Sequence, residues 1–226
     1  MAAVTVVNQT KNNPVTKAVV AGVLIPAIFL IVYGSLLLRQ EIKRLPVIAA
    51  VEKINLSKPV SPEELSAAIK TAVGLIKERR SSEILADLAL LEMAQAANTA
   101  KNQGESGKYF QDARVHLTES LSLAPANPFG WARLAYIDIS LNSASEKTAK
   151  ELYLSAMTGP YLPNLLLPRL EMALASWRYF NEAGKALFRE QIRAAWRKEP
   201  MKVLDLSRKD GFYPIIIDAV REGSAR

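Results

Sequence analysis

The apolar positions of this chain follow one pattern near its start and another over the remainder. From Ala18 to Leu38 the sequence AVVAGVLIPAIFLIVYGSLLL contains no charged residue. A helix rises about 1.5 Å per residue, so this stretch would span about 30 Å, the thickness of the hydrocarbon core of a bilayer. Proline and glycine inside it are tolerated by a helix in lipid. The pattern therefore predicts one transmembrane helix over residues 18–38.

Two other interpretations of this stretch fit less well. A cleaved signal peptide has an apolar region of about 7–15 residues, followed by a cleavage site between small residues. Here Leu38 is followed by Arg39 and no such site follows. A buried core helix with this many uncharged residues would be too long for a domain of this size. The chain is therefore predicted to have a short polar tail over 1–17, the transmembrane helix, a stalk over 39–60 and a domain over 61–226.

The charges beside the transmembrane stretch leave its orientation open. Basic residues occur on both sides of it, namely Lys11, Lys17, Arg39, Lys43, Arg44 and Lys53. Because loops rich in lysine and arginine tend to stay in the cytoplasm, this near balance slightly favours a cytoplasmic domain.

After residue 60 the apolar residues recur at helical spacing. Ser61-Pro62-Glu63-Glu64 is a helix start signal, with a capping hydroxyl, a proline in the first turn and a glutamate three residues on. Similar signals predict helices over about 82–99, 108–123, 165–179 and 182–198, two more from Asn127 and Ser145, and two short helices at the end. Residues 102–107, NQGESG, are predicted to be a loop. No segment alternates as a strand would, so the domain is predicted to be all-α, built from antiparallel helix pairs.

The spacing of small and large residues repeats within this domain. Ala113, Leu117, Ser120, Leu121, Leu123 and Pro125 stand at offsets 0, 4, 7, 8, 10 and 12, and Ala149, Tyr153 and Ala156 repeat the first three. This spacing resembles a tetratricopeptide repeat, over 82–124 and again over 127–158, although Ala89 and Ala135 occupy the position of the usual glycine. The resemblance implies a helical-hairpin domain that offers a groove to a partner protein.

A second resemblance covers residues 82–205. The succession SAMTGPYLPNLLLPRLEMALASW, followed by REQIRAAWRKEP, is similar to accessory proteins of bacterial exopolysaccharide synthesis and export clusters. It implies a single-pass protein of the bacterial inner membrane whose soluble domain is periplasmic. That orientation differs from the slight charge bias, and we take it as the prediction.

Composition removes several kinds of chemistry. The chain has no cysteine, which excludes disulfides, thiolate metal sites and a cysteine nucleophile. It has one histidine, His116, and no glycine-rich phosphate loop. Carboxylates such as Glu63 and Glu64 are explained by helix capping. The sequence thus predicts no catalytic residue, no cofactor site, no metal site and no enzyme activity.

The net charge of +7 draws attention to one helix. Four cations recur every four residues over 182–198, with an aromatic residue between the last two; we call this set the basic stripe: Lys185, Arg189, Arg193, Trp196 and Arg197. Such a set could bind carboxylates, phosphates or sugar rings by ion pairing and stacking. The alternative is a solvated helix face whose charge Glu182 and Glu190 offset, with Trp196 packed under the last helices.

The sequence therefore leads to two functional hypotheses. The first is a membrane-anchored, non-catalytic scaffold that binds other membrane or envelope proteins, within an envelope polysaccharide synthesis or export assembly. The second is an anchored binding module for an acidic polysaccharide or a lipid head group that uses the basic stripe. Nucleic acid is not favoured, because many basic residues alternate with acids and no recognition motif is present.

Overall fold

The structure is a computed structural model that describes residues 14–209 and 211–224, without the side chains of residues 14–21, 25, 36, 37, 40, 223 and 224. The chain is all-α, with 84% of its residues in helices and no strand in the described ranges. The predicted polar tail lies outside these ranges except for residues 14–17. In chain order the helices are α1 (Pro14–Asn55), α2 (Pro62–Glu78), α3 (Ser82–Asn98), α4 (Gln103–Leu123), α5 (Pro128–Asn142), α6 (Glu146–Thr158), α7 (Pro163–Ala175), a 3-10 turn (Trp177–Tyr179), α8 (Glu182–Lys198), α9 (Pro200–Ser207) and α10 (Tyr213–Ser224).

Local capping explains where most of these helices begin. The side chain at the N-cap accepts a hydrogen bond from a backbone N–H of the first turn, which would otherwise have no partner. This happens at Ser61, Ser81, Asn127, Ser145 and Asn181. The predicted starts of these helices are therefore confirmed.

One predicted loop is wrong. Residues 102–107 were expected to be irregular, yet α4 begins at Gln103. The Asn102 side chain caps this helix by accepting from the N–H of Glu105, and the Ser106 hydroxyl donates to the carbonyl of Ala96 at 2.8 Å. This polar segment with two glycines forms the first turn of α4 because the side chains of Asn102 and Ser106 make hydrogen bonds to backbone groups at the two ends of the α3–α4 connection.

The compact domain starts earlier in the chain than predicted. The described residues form one unit up to Pro46 and a second from Val47 onward. Val47 and Ala50, within the predicted stalk, are completely buried against α2 and α3. The stalk prediction rested on Pro46 and Pro59, but Pro46 lies inside α1 and the helix continues to Asn55. Burial of apolar side chains after Pro46 accounts for this difference.

Three clusters of buried side chains follow one another along the second unit. The first joins the end of α1 to α2 and α3, the second joins α3 to α4 and α5, and the third joins α5 to the helices that follow it. Each cluster lies between consecutive helices, so the packing proceeds along the chain as it does in helical-repeat proteins.

The part of α1 that belongs to the first unit carries exposed apolar side chains. The large apolar side chains described between Val23 and Leu38 are more than half exposed. Considering only side chains that the structure describes, no helix has a stretch long and apolar enough to cross a membrane. The transmembrane helix over 18–38 therefore stays a prediction from the sequence.

Gly159 follows the end of α6 and lies against Pro128, the first residue of α5. A Cβ added to it would lie 2.8 Å from the Cβ and Cγ atoms of Pro128, a rigid ring that cannot move aside cheaply. We expect Gly159→Ala to lower the free energy of unfolding by about 1–3 kcal/mol because of this overlap. Chemical denaturation measures the change. Gly74→Ala is the control, since Gly74 lies in α2 with open space around it and alanine should stabilise the helix by about 0.5–1 kcal/mol. Equal effects at the two positions would contradict the prediction.

Candidate binding pocket beside helix α8

The first two members of the basic stripe lie near the start of α8. Lys185 pairs with Glu182 one turn earlier, with 2.9 Å between Nζ and Oε1. This ion pair lowers the pKa of the exposed Glu182 carboxyl through a hydrogen bond and the charge of Lys185. The guanidinium of Arg189 lies over the ring of Trp177, 6.0 Å from its centroid. Both cations are half-buried and remain open to solvent on one side.

The later members of the basic stripe have different surroundings. Arg193 is only 14% exposed, donates to the carbonyl of Ala219 in α10 at 3.1 Å and pairs with Glu190. Trp196 packs against the third buried cluster, and Arg197 is exposed. Four residues turn a helix by about 400°, so each member is displaced by about 40° and the ends of the stripe differ by about 120°. The five residues therefore have different surroundings, and their role as a binding stripe stays a prediction from the sequence.

A cavity of about 600 Å³ opens between α6, the 3-10 turn and the start of α8. We call it the α6–α8 pocket. Its size is within the range of small-molecule and peptide side-chain sites. Its lining is formed by Glu146, Ala149, Lys150, Tyr153, Leu154, Tyr179, Phe180, Asn181 and Ala183. Ala183 is exposed and lies at this pocket.

A break after α7 places the aromatic residues of the pocket. A helix was predicted to continue to about residue 179, but α7 ends at Ala175 and Trp177–Tyr179 form the 3-10 turn. Phe180 then packs against Phe188 of α8, with 4.8 Å between ring centroids, and Trp177 packs edge-on against Phe180 at 6.4 Å. Phe180 after the 3-10 turn therefore packs in the core, and Tyr179 of the turn lies at the pocket.

The charged residues at the α6–α8 pocket are Glu146 and Lys150 in its lining and Arg178 beside the lining residue Tyr179. Lys150 is exposed and forms no ion pair with any other described residue. Arg178 stacks on the ring of Tyr179, 4.7 Å from its centroid, and donates to its hydroxyl at 2.6 Å. Glu146 and Glu182 are the acids of this region, and Glu182 is already paired with Lys185. An anionic group brought to the pocket would therefore meet more positive than negative charge.

The sequence singled out several residues of this region but did not indicate that they lie close together. Lys185 and Arg189 were in the basic stripe, Tyr153 was noted as part of the repeat spacing, and the role of Trp177 was left open. Lys150 and Tyr179 were missed. The available signal was the run Trp177-Arg178-Tyr179-Phe180, because nowhere else in the sequence do three aromatic residues fall within four positions. Its contact with α6 depends on tertiary packing.

Three buried acidic residues, Glu92, Asp138 and Glu151, lie outside the lining of this pocket. Glu92 in α3 pairs with His116 in α4, with 2.8 Å between Oε2 and Nδ1. The hydrogen bond to Glu92 raises the pKa of His116, while burial raises the pKa of Glu92. Asp138 and Glu151 meet between α5 and α6 and are 3% and 4% exposed. Across the described part of the chain, no three histidine or acidic side chains are grouped closely enough to hold a metal ion.

The fold defines a broad structural class for this protein. It is an all-helical protein with a helical-repeat-like arrangement of helix pairs. Comparison with protein-family models, with curated proteins and with solved structures finds no match to the chain.

Proposed function

We propose that the chain is a membrane-anchored, non-catalytic scaffold whose helical domain binds another protein. The observation that carries this proposal is the exposure of the large apolar side chains of α1 between Val23 and Leu38. A helix that is apolar around its whole circumference has to be covered by lipid or by protein. The uncharged sequence from Ala18 to Leu38 favours lipid, because its length matches a hydrocarbon core.

The second part of the proposal concerns the domain. Helix pairs stacked along a chain offer concave surfaces that commonly bind peptides. An anchor would hold such a surface close to its partners and raise their effective concentration without adding a contact. Placement in the bacterial inner membrane, with a periplasmic domain in an envelope polysaccharide assembly, rests on the sequence resemblance alone.

The anchor can be tested with charged substitutions. Ile28 and Ile31 are both exposed on α1 within the apolar stretch. Arginine near the centre of a membrane helix costs about 2.5–3.5 kcal/mol per residue, so we expect Ile28→Arg/Ile31→Arg to move the full chain from carbonate-washed membranes to the soluble or aggregated fraction.

The matched control is Ile42→Arg/Leu45→Arg. These residues have the same spacing and similar exposure but follow the apolar stretch. This variant should stay in the membrane fraction together with the unmodified chain. An unmodified chain that carbonate extracts, or a double variant at 28 and 31 that stays in membranes, would disprove the anchor.

The scaffold role can be tested by cross-linking and co-purification of the full chain from detergent. We expect recovery of a membrane or envelope protein together with the chain. Recovery of none after cross-linking in intact cells would argue against the role.

Protease access in spheroplasts to a tag placed at Arg226 determines the compartment, and protection of the tag from external protease would contradict a periplasmic domain.

The second candidate is binding of an acidic polysaccharide or a lipid head group by the basic stripe. The exposure of Arg197 supports it, whereas the contacts of Arg193 with Ala219 and Glu190 weaken it. The variant Arg189→Gln/Arg193→Gln/Arg197→Gln tests it, read by binding of anionic vesicles and of alginate at increasing salt. Unchanged binding by a folded variant would discard this function.

A further inference from the structure

We infer that the α6–α8 pocket binds a segment of a partner protein in which an aliphatic or aromatic side chain stands beside acidic residues. This inference rests on the proposed scaffold function and deepens it by giving the site and the chemistry of the partner. Three features of the pocket carry it, namely its apolar interior, its unpaired polar groups and the charge of its rim.

The interior of the pocket suits an apolar side chain. Its lining is more apolar than polar and includes Ala149, Leu154, Phe180, Ala183 and two tyrosines. Burying an apolar side chain there would be favourable by about 25 cal/mol for each Å² removed from water. A sugar ring would be a poorer occupant, because its many hydroxyl groups would lose water and find few partners on this surface.

Polar groups at the mouth can bind the backbone and side chains of a peptide. Lys150 and the hydroxyl of Tyr153 are on the same face of α6, three residues apart, and neither has a hydrogen bond or ion pair within the described ranges. The Asn181 Oδ1 accepts from the N–H of Gly184 at 2.9 Å, which leaves the Nδ2 group of Asn181 as a donor. Donors are therefore available on the α6 side of the pocket and, from the Tyr179 hydroxyl and the Asn181 amide, on the opposite side.

The charge around the pocket determines the sign of the flanking residues. Lys150 is at the rim, Arg178 stacks on Tyr179, and Arg189 stacks on Trp177, whose ring contacts Phe180. Cations held against aromatic rings stay positioned at the surface and can pair with a carboxylate of a ligand. Lys150 has no ion pair and Arg178 lies on the lining residue Tyr179, whereas Glu146 is the acid of the lining and Glu182 is paired with Lys185. Acidic residues in the partner segment would therefore strengthen binding and basic ones would weaken it.

Peptide selection tests the inference with the full chain in detergent micelles. A displayed library of random 12-residue peptides is selected against the unmodified chain and counter-selected against Ala183→Phe. Phenylalanine at this exposed position would fill the mouth of the pocket without changing the core. We expect enriched peptides that combine a Leu, Ile, Phe, Tyr or Trp residue with neighbouring Asp or Glu.

Binding of an enriched synthetic peptide then gives the magnitude. We expect a Kd at least tenfold weaker for Ala183→Phe and for Lys150→Glu. The controls are Ala67→Phe and Lys70→Glu, which make the same changes at exposed positions of α2 and should leave the Kd within twofold.

Several outcomes would overturn the inference. They are a selection without enrichment, enriched peptides that lack acidic residues, or binding that Ala183→Phe leaves unchanged. Saturable binding of alginate that Ala183→Phe abolishes would assign the pocket to a polysaccharide. Cross-linked partner proteins that the unmodified chain and Ala183→Phe recover equally would keep the scaffold function and remove this pocket from it.

Discussion

Replacing Arg169 with methionine is expected to lower the free energy of unfolding by about 2–4 kcal/mol. The Arg169 side chain in α7 is completely buried. It donates to the carbonyls of Ser155 and Gly159 at 2.9 Å each and to the carbonyl of Pro160 at 2.7 Å, and its Nε donates to Gln191 Oε1 at 3.1 Å.

The guanidinium of Arg169 serves as the cap of a neighbouring helix. The Ser155 carbonyl in the last turn of α6 also accepts from the N–H of Gly159, and the carbonyls of Gly159 and Pro160 follow the end of the helix. This end carries the negative pole of the helix dipole, so a positive donor stabilises it. Burial lowers the pKa of Arg169 to about 10, and the group therefore remains charged at neutral pH. Methionine would fill much of the space but would remove the hydrogen bonds to the carbonyls of the buried Gly159 and of Pro160.

Urea denaturation of the detergent-solubilised chain measures this effect. Arg169→Lys should show an intermediate loss, because lysine keeps the charge but cannot reach all the acceptors. Arg208→Met is the control, since Arg208 is exposed and pairs only with Asp205 one turn earlier in the described structure. A loss at Arg169 no larger than that at Arg208 would show that the buried hydrogen bonds contribute nothing net.

Replacing Glu151 with glutamine is expected to stabilise the protein at pH 8, by about 1–3 kcal/mol, and to flatten its dependence on pH. Burial, with a further contribution from the charge of Asp138, raises the pKa of Glu151 from 4.5 to about 8. Lys147 opposes this shift from 3.6 Å, and Arg114 lies 3.6 Å from Asp138 on the other side. One buried oxygen of Glu151, Oε2, has no hydrogen-bond partner.

The sign of the pH effect follows from the direction of the shift. Between pH 4.5 and 8 the folded state holds more protons at Glu151 than the unfolded state does, so stability falls as pH rises through this window. The contribution of the protonated carboxyl is complete below pH 4.5 and is lost once pH passes about 8. Glutamine resembles the protonated carboxyl and does not titrate, so the variant should lose this slope.

Denaturation at several pH values between 4.5 and 8.5 measures the slope. Glu171→Gln is the control, because Glu171 is half-exposed and pairs with Lys209 at the surface. It should change stability by less than about 1 kcal/mol at every pH. A slope for Glu151→Gln equal to that of the unmodified chain would show that Glu151 is ionised in the folded protein throughout this range.

The helices of the domain could be predicted from the sequence because their signals are local. A capping side chain such as Ser61 or Asn181 reaches only two or three residues along the chain, and the periodicity of Leu65, Ala68 and Ala72 arises within one helix. The two features that were predicted wrongly depend instead on contacts between separate helices. The start of α4 depends on the contact of Ser106 with Ala96, and the early start of the domain depends on where Val47 and Ala50 pack.

The sequence by itself determined an all-α chain with an uncharged apolar stretch over 18–38 and helix pairs after it. Only the tertiary structure decided which charged side chains are buried and which surround a pocket. Arg169, between Pro168 and Leu170, has no local feature that separates it from an exposed arginine such as Arg208. Likewise the basic stripe has a regular period, yet Arg193 donates to α10 while Arg189 lies over the ring of Trp177. Burial and pairing depend on which helices meet, and those contacts join residues far apart in the chain.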